Sequence, residues 1–275
     1  MRAPEARGVP PGGLAWLGLV VALSPLLFDL ARHWLAEPWA LPFAVFAPLL
    51  VQAIHTDPSI ARPRRAGLLL LALALALEFV TAGGGMPRYG RPAIPLGVLG
   101  MALLLGRPSV ARALVAIWLA PIPHALQTRL LPGLEATLDG LAALLGLPLG
   151  VEKHLLAAPA GFLEVSGADS GIVLAGLLAG LGWYAAATAG ASVRGAAAAA
   201  LRWALWAPFV QGATWGLVLA LLTAGADPEL ARVVLTALPP LTVFVGAAAW
   251  LRRRASACAD SLASPALSSR QGSAA

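Results

Sequence analysis

Long apolar stretches alternate with short clusters of charge along the entire chain. Several stretches approach the roughly 20 residues that a helix needs to cross about 30 Å of hydrocarbon. Arginine, proline and glycine separate them. This pattern predicts eight transmembrane helices, over residues 14–30, 39–54, 66–82, 92–106, 113–127, 170–193, 203–224 and 233–251.

The composition excludes a water-soluble globular protein. Of the 275 residues, 59% are hydrophobic and 12% are charged, whereas soluble domains carry about 25% charged residues. A net charge of +6 would suggest nucleic acid as the partner of a soluble protein. Here the basic residues lie mostly in short loops between apolar segments, as topology signals do. The sequence predicts an all-α, polytopic integral membrane protein whose partner is the lipid bilayer and not nucleic acid.

The positions of Lys and Arg predict the orientation, because cytoplasmic loops are enriched in both. With a cytoplasmic N terminus, thirteen of the 19 basic residues fall in inside loops or at adjoining helix ends. The other six, predicted to be outside, are Arg32, Arg88, Arg91, Arg129, Lys153 and Arg232. We therefore predict a multi-pass protein of the plasma membrane with both termini in the cytoplasm.

Three regions follow from these assignments. Residues 1–13 form a cytoplasmic lead, residues 14–251 the transmembrane domain, and the Ser/Ala-rich residues 252–275 a disordered cytoplasmic tail. Residues 128–169 form the one long polar-containing loop and are predicted to be extracytoplasmic. Proline and glycine interrupt its apolar pieces, which favours an interfacial helix over a membrane span. Residues 162–165 alternate in polarity and predict a short extended segment.

Asp169 lies in the most distinctive local string of the chain, which runs from Glu164 to Ile172. Ser166 and Asp169 have the spacing of a capping box, in which two side chains bond reciprocally to the first backbone N–H groups of a helix. The single cysteine, Cys258, excludes an internal disulfide and a thiolate metal cluster. No metal-binding motif is present. The sequence therefore predicts neither a metal site nor a cofactor.

A resemblance to a known family rests on residues 118–180. The string Pro121-Ile122-Pro123, the loop ending in Gly146-Leu147-Pro148-Leu149, and Gly161-Phe162-Leu163-Glu164-Val165 running into Ala168-Asp169-Ser170-Gly171-Ile172 resemble the central region of the exosortase/archaeosortase family. Members of that family are multi-spanning membrane proteins that resemble cysteine transpeptidases and process C-terminal sorting signals of exported proteins. The resemblance implies an outward-facing site at Glu164, Asp169 and Ser170 that contacts such a C-terminal tail.

The residues that the family uses for catalysis are replaced in this chain. Asp169 occupies the position of the nucleophilic cysteine. The family's arginine is expected within 208–217, where the chain has none, and no histidine follows. An aspartate is a weak nucleophile toward an amide, and aspartic proteases use two carboxylates to activate water instead. The favoured candidate for a second carboxylate is Glu164, which lies five residues before Asp169.

Three functions stay open from the sequence. The first is a catalytically degenerate exosortase-like protein that recognises or assembles exported proteins with C-terminal sorting signals. The second is an active membrane protease or transpeptidase of the same fold with an altered site at Asp169. The third is a small membrane transporter, in which prolines would mark broken helices. The sequence favours the first, leaves the catalytic residues unknown, and leaves open whether the protein is an enzyme, with a non-catalytic role favoured.

Overall fold

The computed structural model describes residues 11–55, 64–105, 109–120, 122–144, 146–152 and 154–263. The helices of the first half are α1 (Pro11–Ala22), α2 (Ser24–Ala36), α3 (Phe46–His55), α4 (Arg64–Gly83), α5 (Pro87–Gly90), α6 (Ala93–Leu105) and α7 (Val110–Ala113). Those of the second half are α8 (His124–Leu144), α9 (Ile172–Thr188), α10 (Val193–Ala204), α11 (Ala207–Thr223) and α12 (Pro228–Ala263). Short 3-10 turns cover Leu41–Val45, Leu114–Leu119 and Gly167–Ser170.

The all-α class is confirmed, with one small sheet added between α8 and α9. Its strands are β1 (Gly150–Glu152), β2 (Leu155–Ala158) and β3 (Gly161–Glu164). They pair antiparallel in the order β1-β2-β3, with Leu156 opposite Leu163. The extended segment predicted at residues 162–165 is therefore largely β3.

Within the described residues, three helical stretches are long and apolar enough to cross a membrane. They are Arg64–Gly83, Val193–Thr223 and Pro228–Ala249. A fourth candidate is the pair formed by α1 and α2, which bends by 68° at its break. The chain thus has the helices of a membrane protein. Eight spans are not confirmed, because Leu41–Ile54, Ala93–Leu105, Val110–Leu119 and Ile172–Thr188 are apolar helical segments of only 10–17 residues.

The prediction of one continuous helix over residues 113–127 is wrong. The chain forms the 3-10 turn Leu114–Leu119 there, extends at Ala120, and starts α8 only at His124. Proline disfavours helical backbone in the residue before it. Ala120 and Ile122 each precede a proline in the sequence, and this local restriction separates the two segments.

The predicted loop 128–169 contains more regular structure than its composition suggests. Residues 128–144 belong to α8, which continues through Pro132. Leu138 and Ala142 are buried on this helix, and tertiary packing of an apolar face commonly overrides weak helix propensity. The loop is therefore one long helix followed by the sheet.

Both ends of the transmembrane domain are more helical than predicted. Helix α1 begins at Pro11, inside the predicted lead 1–13, and proline is well suited to the first turn of a helix. Helix α12 continues to Ala263, so residues 252–263 are helical where the sequence predicted disorder. Alanine and arginine dominate this stretch, and both have high helix propensity. The remaining parts of these predictions, residues 1–10 and 264–275, lie outside the described residues.

Helix α9 is the central element of the larger hydrophobic core. Twelve of its 17 residues are buried, and they include glycines and leucines on every side. A helix that is apolar on all faces is typical of a position enclosed by other helices. At its C-terminal end the Arg112 guanidinium donates hydrogen bonds to the carbonyls of Ala187 and Thr188, at 3.2 and 3.0 Å.

Helices α4 and α6 approach so closely that glycine is required at their crossing. A Cβ atom at Gly100 would lie 2.8 Å from the backbone N of Leu71 and 2.9 Å from the carbonyl O of Gly67. Real Cβ atoms do not make contacts of this length, and the backbone of a packed helix cannot move aside locally. Small residues at such crossings are a common way to join helices in membranes.

A matched pair of glycine substitutions tests this packing. We expect Gly100→Ala to lower the thermal unfolding midpoint in detergent, because the added methyl group must push α4 and α6 apart. Gly216→Ala lies on α11 with nothing within 4 Å of the added atom, and alanine is the better helix former by about 1 kcal/mol. The thermal unfolding midpoint of Gly216→Ala should equal or exceed that of the wild type. Equal effects of the two substitutions would contradict the close crossing.

Candidate functional site

Asp169 is positioned by a short turn between the sheet and the central helix. After β3 the backbone N of Val165 donates to the carbonyl of His154 at 2.7 Å, which holds the end of the strand. The 3-10 turn Gly167–Ser170, here called the Asp169 turn, follows at once. Gly171 then adopts φ +84°, a left-handed conformation that glycine adopts without steric cost. This kink redirects the chain from the turn into α9.

The carboxylate of Asp169 holds the start of this turn. Its Oδ2 accepts hydrogen bonds from the backbone N and the Oγ of Ser166, at 2.8 and 2.7 Å. The capping box predicted from Ser166 and Asp169 is present. It caps the Asp169 turn, and α9 begins only after Gly171.

An arginine from α12 completes the environment of the carboxylate. Arg232 Nη1 lies 2.8 Å from Asp169 Oδ2 and also donates to the carbonyl of Glu164 at 3.1 Å. The Asp169 side chain is 5% exposed, and that of Arg232 is 34% exposed. Hydrogen bonds between ionised partners are shorter and stronger than neutral ones. The guanidinium thus joins β3, the Asp169 turn and α12.

The backbone carbonyl of Asp169 is bound from α11. Gln211 Nε2 and Trp215 Nε1 each donate to it at 3.0 Å. Both side chains are buried, and their i, i+4 spacing places them on one face of the helix. Five hydrogen bonds therefore converge on Asp169, and we call this arrangement the Asp169 cluster.

The three candidate residues from the sequence are neighbours with different surroundings. Asp169 is buried, whereas Glu164 is exposed and contributes its backbone carbonyl to Arg232. Ser170 Oγ donates to the carbonyl of Gly167 at 2.7 Å. No hydrogen bond joins the carboxyl groups of Glu164 and Asp169 among the described residues. The paired carboxylates that an aspartic protease uses are not formed here.

An open groove of about 330 Å³ lies between α8 and α11, beside Ser170. Apolar side chains form most of its wall, including Leu134 and Leu141. Thr137 and Gln211 add polar groups at its margin. We call this surface the α8–α11 groove.

No cluster of His, Cys, Asp or Glu suitable for a metal ion occurs within the residues that the structure describes. Among the described residues, His154 Nδ1 and Glu135 Oε1 pair at 2.6 Å. Glu135 also accepts from the backbone N of His154 at 3.0 Å. This pair fastens the sheet to α8.

Sequence reasoning missed the residues that reach Asp169 from a distance. The sequence pattern assigns Arg232 only a role as a topology signal, and the family resemblance predicts an arginine within 208–217 instead. The structure brings an arginine to the site from α12. A usable signal existed, because Asp169 and Arg232 lie at predicted outer ends of two spans and carry opposite charges. No comparable sequence pattern predicts that Gln211 and Trp215 contact Asp169.

Comparison with known proteins gave no match to a family model, to a curated protein or to a solved structure. The resemblance to the exosortase/archaeosortase family therefore stays a prediction from the residues quoted above.

A double-mutant cycle tests the ion pair of the cluster. Asp169→Asn keeps an acceptor for Ser166 but loses the charge that pairs with Arg232, and Arg232→Gln removes the other charge. We expect each change to lower the free energy of unfolding in detergent by about 1–3 kcal/mol. The double variant should lower the free energy of unfolding by clearly less than the sum of the two single changes, because the two side chains interact directly. Glu152→Gln, at an exposed position, controls for the loss of one negative charge. Additive effects would contradict the pairing.

Proposed function

We propose that this chain is an exosortase/archaeosortase-like protein of the plasma membrane that recognises the C-terminal tails of exported proteins without cleaving them. In this proposal the polypeptide crosses the bilayer eight times, by way of its short apolar helices as well as its long ones. Both termini are cytoplasmic, and the Asp169 cluster faces the extracytoplasmic side.

We infer the loss of catalysis from one observation, which is that Asp169 is hydrogen-bonded to other residues of its own chain. The residue at the position of the family nucleophile uses its Oδ2 for Ser166 and Arg232, and its carbonyl for Gln211 and Trp215. A catalytic carboxylate must be available to a substrate or a water molecule. Here the contacts of Asp169 hold its own turn, α11 and α12 together.

The α8–α11 groove supports a role in recognition. It lies directly beside Ser170, and its apolar wall suits an apolar peptide segment. Ser170 and Gln211 connect it to the Asp169 cluster. A tail bound in this groove would contact the residues around the site without needing a nucleophile.

Site-specific crosslinking tests recognition. A photoreactive amino acid at Thr137, which lines the groove, should crosslink to a secreted reporter that ends in an apolar segment followed by basic residues. The same amino acid at the adjacent exposed Ala136, which is not part of the groove lining, should crosslink far less because successive helix residues face different directions. Equal yields from the two positions would contradict binding in the groove.

The fate of the reporter tests the absence of catalysis. We expect the wild-type protein and the Asp169→Cys variant to leave the reporter at full length, since the thiol would lack the histidine that the family pairs with it. Processing by the wild type that Asp169→Asn abolishes, at an equal amount of membrane-inserted protein, would show an active enzyme and overturn the proposal.

Thiol labelling tests the orientation. In a Cys258→Ser background, a cysteine at the exposed Gly140 should react with a membrane-impermeant maleimide added outside intact cells. The matched single cysteine at position 258 should react only after the cells are opened. Labelling in the reverse order would invert the proposed topology.

A further inference from the structure

The hydroxyl groups that line the α8–α11 groove already use their hydrogen-bond donors within the protein. Thr137 Oγ1 donates to the carbonyl of Gly133 at 2.7 Å, and Ser170 Oγ donates to the carbonyl of Gly167 at 2.7 Å. A hydroxyl group has one O–H donor, whereas its oxygen can accept two hydrogen bonds. Thr137 and Ser170 both line the groove, so they offer it acceptors and no free donor.

The two hydroxyl groups differ in how much acceptor capacity they keep. Ser170 Oγ also accepts from the backbone N of Ile172, at 3.4 Å. Thr137 is exposed, and its Oγ1 accepts no hydrogen bond from a described residue. Thr137 is therefore the hydroxyl group that can best accept a hydrogen bond from a partner.

Gln211 provides the polar group on the α11 wall of the groove, and it is only 6% exposed. A primary amide has two N–H donors and a carbonyl oxygen that accepts. One N–H of Gln211 donates to the carbonyl of Asp169. No described residue bonds to its other N–H or to its Oε1. Gln211 can therefore both donate and accept one further hydrogen bond.

Two glycines leave the walls of the groove open to a close neighbour. Gly133 on α8 and Gly212 on α11 line it, and a Cβ atom added at either would meet no heavy atom within 4 Å. The space beside Gly100 in the core is instead filled by the backbone of α4. Small residues allow the backbones of two membrane helices to approach closely. The free space at Gly133 and Gly212 thus admits the backbone of a further helix.

We propose that the α8–α11 groove selects an apolar helical tail that carries one carboxamide side chain, asparagine or glutamine. One N–H of this carboxamide donates to Gln211 Oε1, and its carbonyl accepts from the remaining N–H of Gln211. Its second N–H donates to Thr137 Oγ1. This inference rests on the proposed function, because it names the chemistry of the tail that the groove binds.

A carboxamide matches the one donor and the two acceptors that Thr137 and Gln211 leave unused. An ionised carboxylate only accepts hydrogen bonds, and an ammonium group only donates them, so neither group satisfies both side chains. Burying either charge against the apolar wall is also costly. An asparagine side chain is short and reaches these atoms only if the two backbones come close, which Gly133 and Gly212 allow.

Crosslinking of a matched set of reporters tests this selection. The photoreactive amino acid replaces Leu130, an exposed residue of the groove lining, so that Thr137 and Gln211 stay intact. The secreted reporter ends in an apolar segment of about 20 leucines and alanines followed by basic residues. Asparagine, aspartate or leucine is placed at each position of this segment in turn.

We expect at least one position at which asparagine raises the crosslinking yield fivefold or more over both leucine and aspartate, at equal amounts of membrane-inserted reporter. Equal yields from the asparagine and leucine reporters at every position would overturn the inference, while the recognition of apolar tails would stand. Absence of crosslinking to any reporter, from Leu130 and from Thr137 alike, would overturn both proposals.

A pair of threonine variants locates the hydrogen bond on α8. Thr137→Val removes the acceptor at nearly constant shape and should reduce the preference for asparagine over leucine at least threefold. Thr128→Val is the matched control, because the Thr128 hydroxyl group donates in the same way to the carbonyl of Ala125, at 3.1 Å, but lies outside the groove lining. Thr128→Val should keep the preference of the wild type. Equal preferences in the two variants would contradict the inference.

A pair of glycine variants on α11 locates the close approach. Gly212 and Gly216 are both exposed with open space beside them, and of the two only Gly212 lines the groove. Gly212→Leu should fill the groove and lower the yield of the asparagine reporter at least fivefold, whereas Gly216→Leu should crosslink as the wild type does. A monodisperse peak in size-exclusion chromatography checks that both variants are folded. Equal yields from the two folded variants overturn the inference.

Discussion

The pairing of Asp169 with donors from three parts of the chain is the constraint on which the second half of the structure depends. Ser166 lies just after the sheet, Gln211 and Trp215 come from α11, and Arg232 comes from α12. These elements also share a hydrophobic core with α8. This core contains Leu138, Leu156, Leu163, Trp215 and Leu235. Apolar packing brings the elements together, and the directional bonds to one residue determine their relative positions.

A buried charge is costly unless it is paired and hydrogen-bonded. Asp169 satisfies this condition through Arg232 and Ser166, so the carboxylate is stable inside an otherwise apolar protein. The same bonds withdraw Oδ2 from any reaction. The three side-chain hydrogen bonds of Asp169 all go to Oδ2, and this geometry supports a structural role for the carboxylate.

Local patterns were predictable from the sequence because they involve neighbours in the chain. The capping box needs only Ser166 and Asp169, three residues apart, and β3 follows from alternation over four residues. Gln211 and Arg232 lie 42 and 63 residues beyond Asp169, and no local pattern encodes such a contact. Apolar composition also did not determine helix length. The Leu114–Leu119 segment ends at Ala120, which precedes a proline, whereas α8 continues through Pro132 because its apolar face is packed.

The 17-residue length of α9 has a consequence for how this protein fits a bilayer. At 1.5 Å per residue the helix is about 25 Å long, while the 20-residue α4 reaches about 30 Å, the thickness of typical hydrocarbon. Arg112 binds one end of α9, and the Arg232–Asp169 pair lies just before the other. In the proposed eight-span arrangement, a membrane matched to α4 would place these charges a few ångströms inside the hydrocarbon boundaries, in recesses that water or lipid head groups would have to fill. A thicker membrane would deepen these recesses, so in that arrangement the hydrophobic mismatch would act on the charged ends of α9.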